Sequence, residues 1–327
     1  MNCMQKKRNG IKGIAIALLV LSLMLFPPSL SVVRAEMFYP ASRLNSYNEL
    51  QAPAQVSKIG DTYFIVDSGH NQVIYSKSIG APLGQWSIMA GNLSGPHAVA
   101  GDGTVYLVAD TENHRVISYR KRADGFQEQQ IFESIGERPH YVVYDRAEER
   151  FYVWSSMTGE MYLFRRMEGS TWVCLEQILA VPELMGSYVR SFTIEGDLIY
   201  LPCVVQSCIY VADKHTMQVL AVYPVPPSLA GIVQITGIEN RYYITVSTDQ
   251  AWNQDCATII RTESFQALSE GRYEDLNGLF GGDGAPYYIS RFDGAWYTLV
   301  LKNQTRPCIC RFEVSGDVLE VKKIGGS

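Results

Sequence analysis

The 327-residue chain is 47% hydrophobic and carries a formal net charge of −5. That acidic balance argues against non-specific binding to nucleic acid or anionic lipid, which runs on a basic surface that neutralises phosphates. Neither a Gly-x-Ser-x-Gly elbow nor a Walker loop occurs in it, so the chemistry those loops support is not indicated.

In chain order, residues 1–35 read as a secretory signal peptide of bacterial type. Lys6, Lys7, Arg8 and Lys12 form a positive segment, Ile14 to Phe26 an apolar one, and Val33-Arg34-Ala35 offers small residues for cleavage. The apolar run falls short of the roughly 18 to 20 residues that span a bilayer, so a retained transmembrane anchor is the weaker reading. Cleavage would remove five basic and no acidic residues, making the mature chain more acidic still. A secreted or extracytoplasmic location follows, with no stable membrane insertion.

The mature chain, residues 36–327, repeats one pattern. A β-branched and tyrosine-rich run recurs at Tyr63–Asp67, Val105–Asp110, Phe151–Trp154, Ile199–Cys203, Tyr242–Val246 and Trp296–Val300. Each is preceded by a polar turn: Gly60-Asp61, Gly101-Asp102-Gly103, Ala147-Glu148-Glu149, Glu195-Gly196-Asp197, Glu239-Asn240 and Asp293-Gly294. Another β run follows each one, and a fourth is visible in places, as at Gln218–Val222 and Val318–Val321. Such a period predicts an all-β fold, a single six-bladed β-propeller of four-stranded antiparallel blades, at approximately 50–90, 91–135, 136–180, 185–225, 230–270 and 284–325. An all-β sandwich is the main alternative, though it does not require the tyrosine-rich strand to recur at this spacing. Ring closure has two solutions: Val318 to Lys323 completes the last blade alone, or it pairs with a strand from Met37 to Pro40.

Six cysteines remain in the mature chain. Cys203 and Cys208 are placed to bridge adjacent strands across a short connection. Cys308 and Cys310 point to one face of a strand, as a soft-metal pair or as buried thiols.

Pro96-His97-Ala98-Val99-Ala100, followed by Val105 through Val116, resembles an NHL repeat. Asp67-Ser68-Gly69-His70-Asn71-Gln72-Val73 is a looser copy, and Ile209 through Val225 is similar to the YVTN type of propeller repeat. The resemblance covers the first two units best, and residues 138 to 325 join the ring by period. It implies a propeller whose first strands line a central channel. It leaves function open between protein-binding modules, lyases and lactonases.

Chemistry in a ring belongs where the loops converge, at one mouth of the channel. Aligning the starts of the first strands places Ala54, His97, His140, Arg190, Gln234 and Tyr287 there. His97 and His140 each follow a proline, which aims both imidazoles alike. Together they are candidate ligands for Zn or another divalent cation, or an acid and base near neutral pH. A Pro-His at a blade start resembles the zinc ligands of the peptide-amidating lyase. On that resemblance Arg190 and Tyr287 or Tyr288 take the arginine and tyrosine roles, while the third histidine has no counterpart here. The plain alternative is a pair of polar channel residues satisfied by water. His70 and His114 belong to the repeat's own turn, where Asp67 and Asp110 are placed to cap backbone N–H groups, and His215 lies in another turn.

Tyr141, Trp154, Tyr188, Trp252 and Tyr287 read as loop aromatics able to form a face for carbohydrate or peptide. The function expected is a monomeric ligand- or protein-binding module acting through its channel mouth and loop face. A metal-dependent lyase or hydrolase using His97 and His140 is the alternative.

Overall fold

A computed structural model describes residues 31–282, 284–301 and 308–324 and shows six four-stranded antiparallel blades arranged as a β-propeller, the second blade's sheet extended to six by two short N-terminal strands, with one short α-helix. The apolar leader up to residue 30 and the side chain of Cys308 lie outside the described residues. The alternation of β-branched runs and polar turns yields one meander per blade, each strand pairing with the next in sequence.

The first strands are Pro53–Ile59, Ala98–Gly101, Pro139–Asp145, Thr193–Glu195, Gly231–Ile238 and Ala285–Phe292. They lie side by side around the centre of the ring. The second strands are Thr62–Asp67, Val105–Asp110, Arg150–Ser155, Leu198–Cys203, Arg241–Thr248 and Ala295–Leu301. These are the tyrosine-rich runs. Val105–Asp110 is buried along its whole length, because a blade's inner strands are covered on both faces by neighbouring blades. The outermost strand Val219–Pro224 meets a neighbour on one face only and alternates half-buried with exposed residues.

Every polar turn sits in the hairpin between first and second strands. Several demand a left-handed backbone: Gly60 and Gly196 adopt φ of 62° and 60°, and Glu149, Glu239 and Asp293 adopt 53°, 54° and 49°. The next hairpin turns back at the channel mouth. There Asp67 accepts the Gln51 N–H at 2.8 Å and Asp110 accepts the Ser94 N–H at 2.6 Å, so both aspartates cap backbone groups as the repeat pattern implied.

The fifth blade departs from a simple meander. A helix, Phe265–Ser269, intervenes before its outermost strand, which is reduced to Glu274–Asp275 and falls past residue 270.

Closure is by packing. The last blade is completed by its own strand Val318–Ile324, while Phe38–Pro40 pairs with Gly125–Gln127 on the outer edge of the second blade. Blades one and six share an apolar cluster containing Ile65, Trp86, Tyr297 and Leu299. On its rim, Asp293 accepts from Lys58 Nζ at 2.5 Å and from the Tyr63 hydroxyl at 2.6 Å. Val32–Arg34, upstream of the expected cleavage point, also pairs with the second blade's outer strand, at Phe132–Gln130.

A belt of side-chain bonds joins neighbouring blades near the ring centre. Gln55 Oε1 accepts the Val99 N–H at 2.7 Å, and Gln234 Oε1 accepts the Ile289 N–H at 2.6 Å. Thr111 donates to the Pro139 carbonyl at 2.8 Å and Ser191 to that of Val233 at 2.5 Å. Each replaces a ladder bond that the splay between blades forbids. Among the described residues, no helix is long and apolar enough to cross a membrane.

Candidate functional site at the channel mouth

His97 and His140 enter the mouth from adjacent blades, with ring centroids 3.9 Å apart and planes inclined by 36°. The proline before each fixes the entry of the strand. Their hydrogen bonds make them unequal. The Tyr288 hydroxyl has one hydrogen, which goes to the Arg190 carbonyl at 3.1 Å. His140 Nδ1, at 2.8 Å from that hydroxyl oxygen, therefore donates to it. The remaining nitrogen, Nε2, accepts from the Tyr188 hydroxyl at 3.2 Å. A relay thus runs from Tyr188 through His140 and Tyr288 to the Arg190 backbone, and both His140 nitrogens are spent.

His97 holds its proton on Nδ1. That N–H donates to the Gly95 carbonyl at 2.8 Å and shares itself with Thr111 Oγ1 at 3.1 Å, the latter already donating to Pro139. Nε2 keeps its lone pair, and the half-buried ring reaches the channel. Burial, chiefly, pushes the His97 imidazole down to about 4, with the charges of Arg138 and Arg190 adding to the effect. His140, fully buried, is pushed well down in the same direction by burial first, then by His97 and the two guanidiniums. Both rings are neutral at physiological pH.

The arginines differ as well. Arg138 stands at the residue before Pro139 with φ of 60°, and its Nη2 donates to Glu112 at 2.6 Å. Arg190 is 6% exposed and donates from Nη1 to the Gly231 carbonyl at 3.1 Å. Its guanidinium lies over the rings of Tyr188 and Trp252, 5.0 and 5.5 Å from their centroids. Among the described residues no carboxylate pairs with it, whereas Arg115 has Asp110 at 2.7 Å and Arg261 has Glu274 at 2.5 Å.

The loops bearing these groups are tied together. Gln206 Nε2 donates to the Glu183 carbonyl at 2.9 Å and to Ser187 Oγ at 3.1 Å, and Gln250 Nε2 donates to the Val205 carbonyl at 3.1 Å. Met185, Val205 and Trp252, each at least half exposed, crown these loops as an apolar rim.

Sequence reasoning placed His97, His140 and Arg190 together, and they do meet. Tyr287 is also close, its ring 6.2 Å from that of His97, while its neighbour Tyr288 makes the polar contact with His140. Gln234 has its amide consumed: beyond the bond to Ile289, Nε2 donates to the Tyr141 hydroxyl at 2.9 Å. It holds blades together. Tyr141 and Trp154 are strand residues buried in the core, so of the five aromatics read as loop residues only Tyr188 and Trp252 sit on mouth loops. Arg138 and Glu112 also belong to the mouth; Arg138 has a local signal in Arg138-Pro139-His140, whereas Glu112, 26 residues earlier, has none.

For a cation the donor set is poor. Among the described residues no group of three or more His, Cys, Asp or Glu is arranged to hold one, and the histidine pair offers a single available lone pair, His97 Nε2. Cys310 is buried, with its neighbour's side chain outside the described residues.

The fold and this mouth define a six-bladed β-propeller with a polar, cationic channel opening. No protein-family model matches the chain, and no curated protein matches it. Solved structures do. A putative 6-phosphogluconolactonase from Bacteroides uniformis is similar with a TM-score of 0.59 at 11% identity, over 90% of this chain and 96% of that one. Its counterpart from Bacteroides fragilis gives 0.58 at 11%, over 89% and 95%. The hydrazine synthase of Kuenenia stuttgartiensis gives 0.56 at 16%, over 82% and 79%. At such identities the likeness is one of fold alone.

Proposed function

We propose that this protein is an exported, NHL-like propeller that works as a binding module, its ligand seated at the channel mouth and against the loop face around it. The observation that carries the reading is hydrogen-bonding capacity left unspent, among the described residues, where five blades converge: the lone pair of His97 Nε2 and the guanidinium of Arg190, which commits one N–H and has no carboxylate partner. By contrast, Gln234, the neighbouring candidate in the next blade, spends its amide on Ile289 and Tyr141. The exposed indole of Trp252 beside Arg190 adds an aromatic platform suited to a peptide or a sugar ring. Export rests on the composition of residues 1–35.

The test is a peptide and glycan array probed with the mature protein, beside Trp252→Ala, His97→Ala and, as a control on the opposite face, Arg241→Ala. Binding lost in the first two variants and kept in the third supports the mouth. Binding indifferent to both mouth variants rules it out. A metal-dependent lyase or hydrolase would instead need His140 released from Tyr188 and Tyr288, and no observation favours that.

A further inference from the structure

Resting on that reading, we infer that the mouth captures a compact oxyanion, a carboxylate or a phosphate, on the guanidinium of Arg190, with His97 Nε2 accepting a hydrogen bond from a hydroxyl next to it on the same ligand. Three observations carry this. The first is the cost of Arg190 as it stands. A guanidinium 6% exposed has surrendered most of its hydration, and it recovers one backbone carbonyl and two aromatic faces, with no counter-charge among the described residues. Removing a cation from water without a partner is costly, and an anion that completes the pair recovers that cost.

The second is where its donors point. Arg190 has five N–H groups and commits one. None of its nitrogens is among the buried atoms lacking a partner, so the uncommitted edge reaches accessible space. With the guanidinium carbon over the rings of Tyr188 and Trp252 and Nη1 committed to Gly231, the remaining Nε–Nη2 edge is the fork that grips a carboxylate or phosphate through two parallel bonds. The local charge has the right sign: Arg138, over the same Tyr188 ring at 5.5 Å, is offset by Glu112 and leaves Arg190 as the net charge of the mouth.

The third is His97. Its ring lies 3.9 Å from that of His140, whose Nε2 receives the Tyr188 hydroxyl, and Arg190 lies over Tyr188, which brings the lone pair and the fork to one neighbourhood of the mouth. A neutral imidazole acceptor repels a bare anion and rewards a ligand carrying a donor beside its anionic group. A 2-hydroxy acid is the simplest such ligand, and a phosphate monoester next to a free hydroxyl is its phosphorus counterpart.

The experiment is calorimetric titration of the mature protein at low, constant ionic strength with lactate, propionate and inorganic phosphate, using chloride as the control. Saturable binding of at least one oxyanion is expected, weakened at least tenfold in Arg190→Gln, with lactate held more tightly than propionate in a manner lost in His97→Phe. The ratio of phosphate to propionate affinity tells the two sources of anion apart. Glu112→Gln, on the exposed side of the mouth, is expected to tighten binding severalfold by freeing Arg138. Should Arg190→Gln fail to fold, Arg190→Lys, which keeps the charge and loses the fork, together with Glu112→Gln decides the matter. No saturable binding by the wild type, or binding unchanged in Glu112→Gln and in the Arg190 variant that folds, overturns the inference. A wild type that takes none of these anions yet binds an arrayed ligand through Trp252 overturns the oxyanion alone. Anions bound without regard to Arg190, with no array signal sensitive to the mouth, overturn both readings.

Discussion

The rings of His97 and His140 lie 3.9 Å apart, yet a hydroxyl 148 residues from His140 in sequence makes them chemically different: Tyr288 accepts the Nδ1–H of His140, and among the described residues nothing hydrogen-bonds to Nε2 of His97. Two side chains that look alike in sequence thereby divide into a buried strut and an available acceptor.

Acid weakens this site from within. In the unfolded chain a histidine protonates near 6.5, whereas folded His97 protonates near 4 and His140 is likewise held well below the ordinary value, because burial penalises the charged ring. Between those values the unfolded chain binds more protons, so stability falls as pH drops from about 6.5 to 4. His97 accounts for on the order of 3 kcal/mol of that at most, since its ring reaches the channel. Asp67 and Glu128, whose carboxyls are raised chiefly by burial, work the other way at the acid end. Urea midpoints at pH 7 and pH 5 check this, with His97→Gln expected to lose less between them than the wild type. Equal losses refute it.

Tyr288→Phe removes one oxygen and orphans two partners, the Nδ1–H of His140 and the carbonyl of Arg190. Both are buried, and each orphan costs about 1 to 3 kcal/mol. Chemical denaturation is expected to show a loss in that range or above. A loss within 0.5 kcal/mol, on the order of an exposed substitution, would mean the relay does not form.

Gln234→Leu keeps the volume of the belt residue and deletes its amide. The Ile289 N–H and the Tyr141 hydroxyl lose their partner inside the ring, so a loss of about 2 to 5 kcal/mol is expected, with ligand binding at the mouth intact in the folded fraction. Weakened binding at unchanged stability would return Gln234 to the site.

The segment before the first blade divides at Ala35. Val32 and Val33 are about half exposed, so a chain starting at Glu36 is expected to melt within about 2 °C of one that retains residues 31–35. Tyr39 is buried, donates to the Gly91 carbonyl at 2.9 Å and packs by Tyr119, so Tyr39→Ala is expected to cost about 3 to 5 kcal/mol. Calorimetry of the three proteins distinguishes an ornamental edge strand from an anchor.

Cys203 and Cys208 are direct partners in an antiparallel pair, a spacing that suits a disulfide. Hydrogen bonding from the Cys208 thiol, first, and from loop N–H groups holds Cys203 down to about 7, and the shared proton raises Cys208. Mild oxidation is expected to join them intramolecularly, detected as loss of two alkylatable thiols without dimer formation. Retention of both thiols under conditions that oxidise a control dithiol refutes it.

The sequence by itself determined the blade count, the hairpins and the neighbourhood of the two histidines. Those depend on short-range physics: alternation along a strand, turn residues that accept a left-handed backbone at Gly60 or Asp293, and prolines that aim the chain at His97 and His140. Only the tertiary structure decided which polar groups are spent and which are available. Arg190, just before the first strand of the fourth blade, and Gln234, within the first strand of the fifth, look equally fit for a ligand in sequence. The strand, whose register shifts between Ile232 and Gln234, holds the amide against Tyr141 and Ile289, while Arg190 is left over Tyr188 and Trp252 with no carboxylate partner among the described residues. Partners drawn from blades tens of residues apart are set by how six sheets splay around a common axis, and no local pattern encodes that geometry.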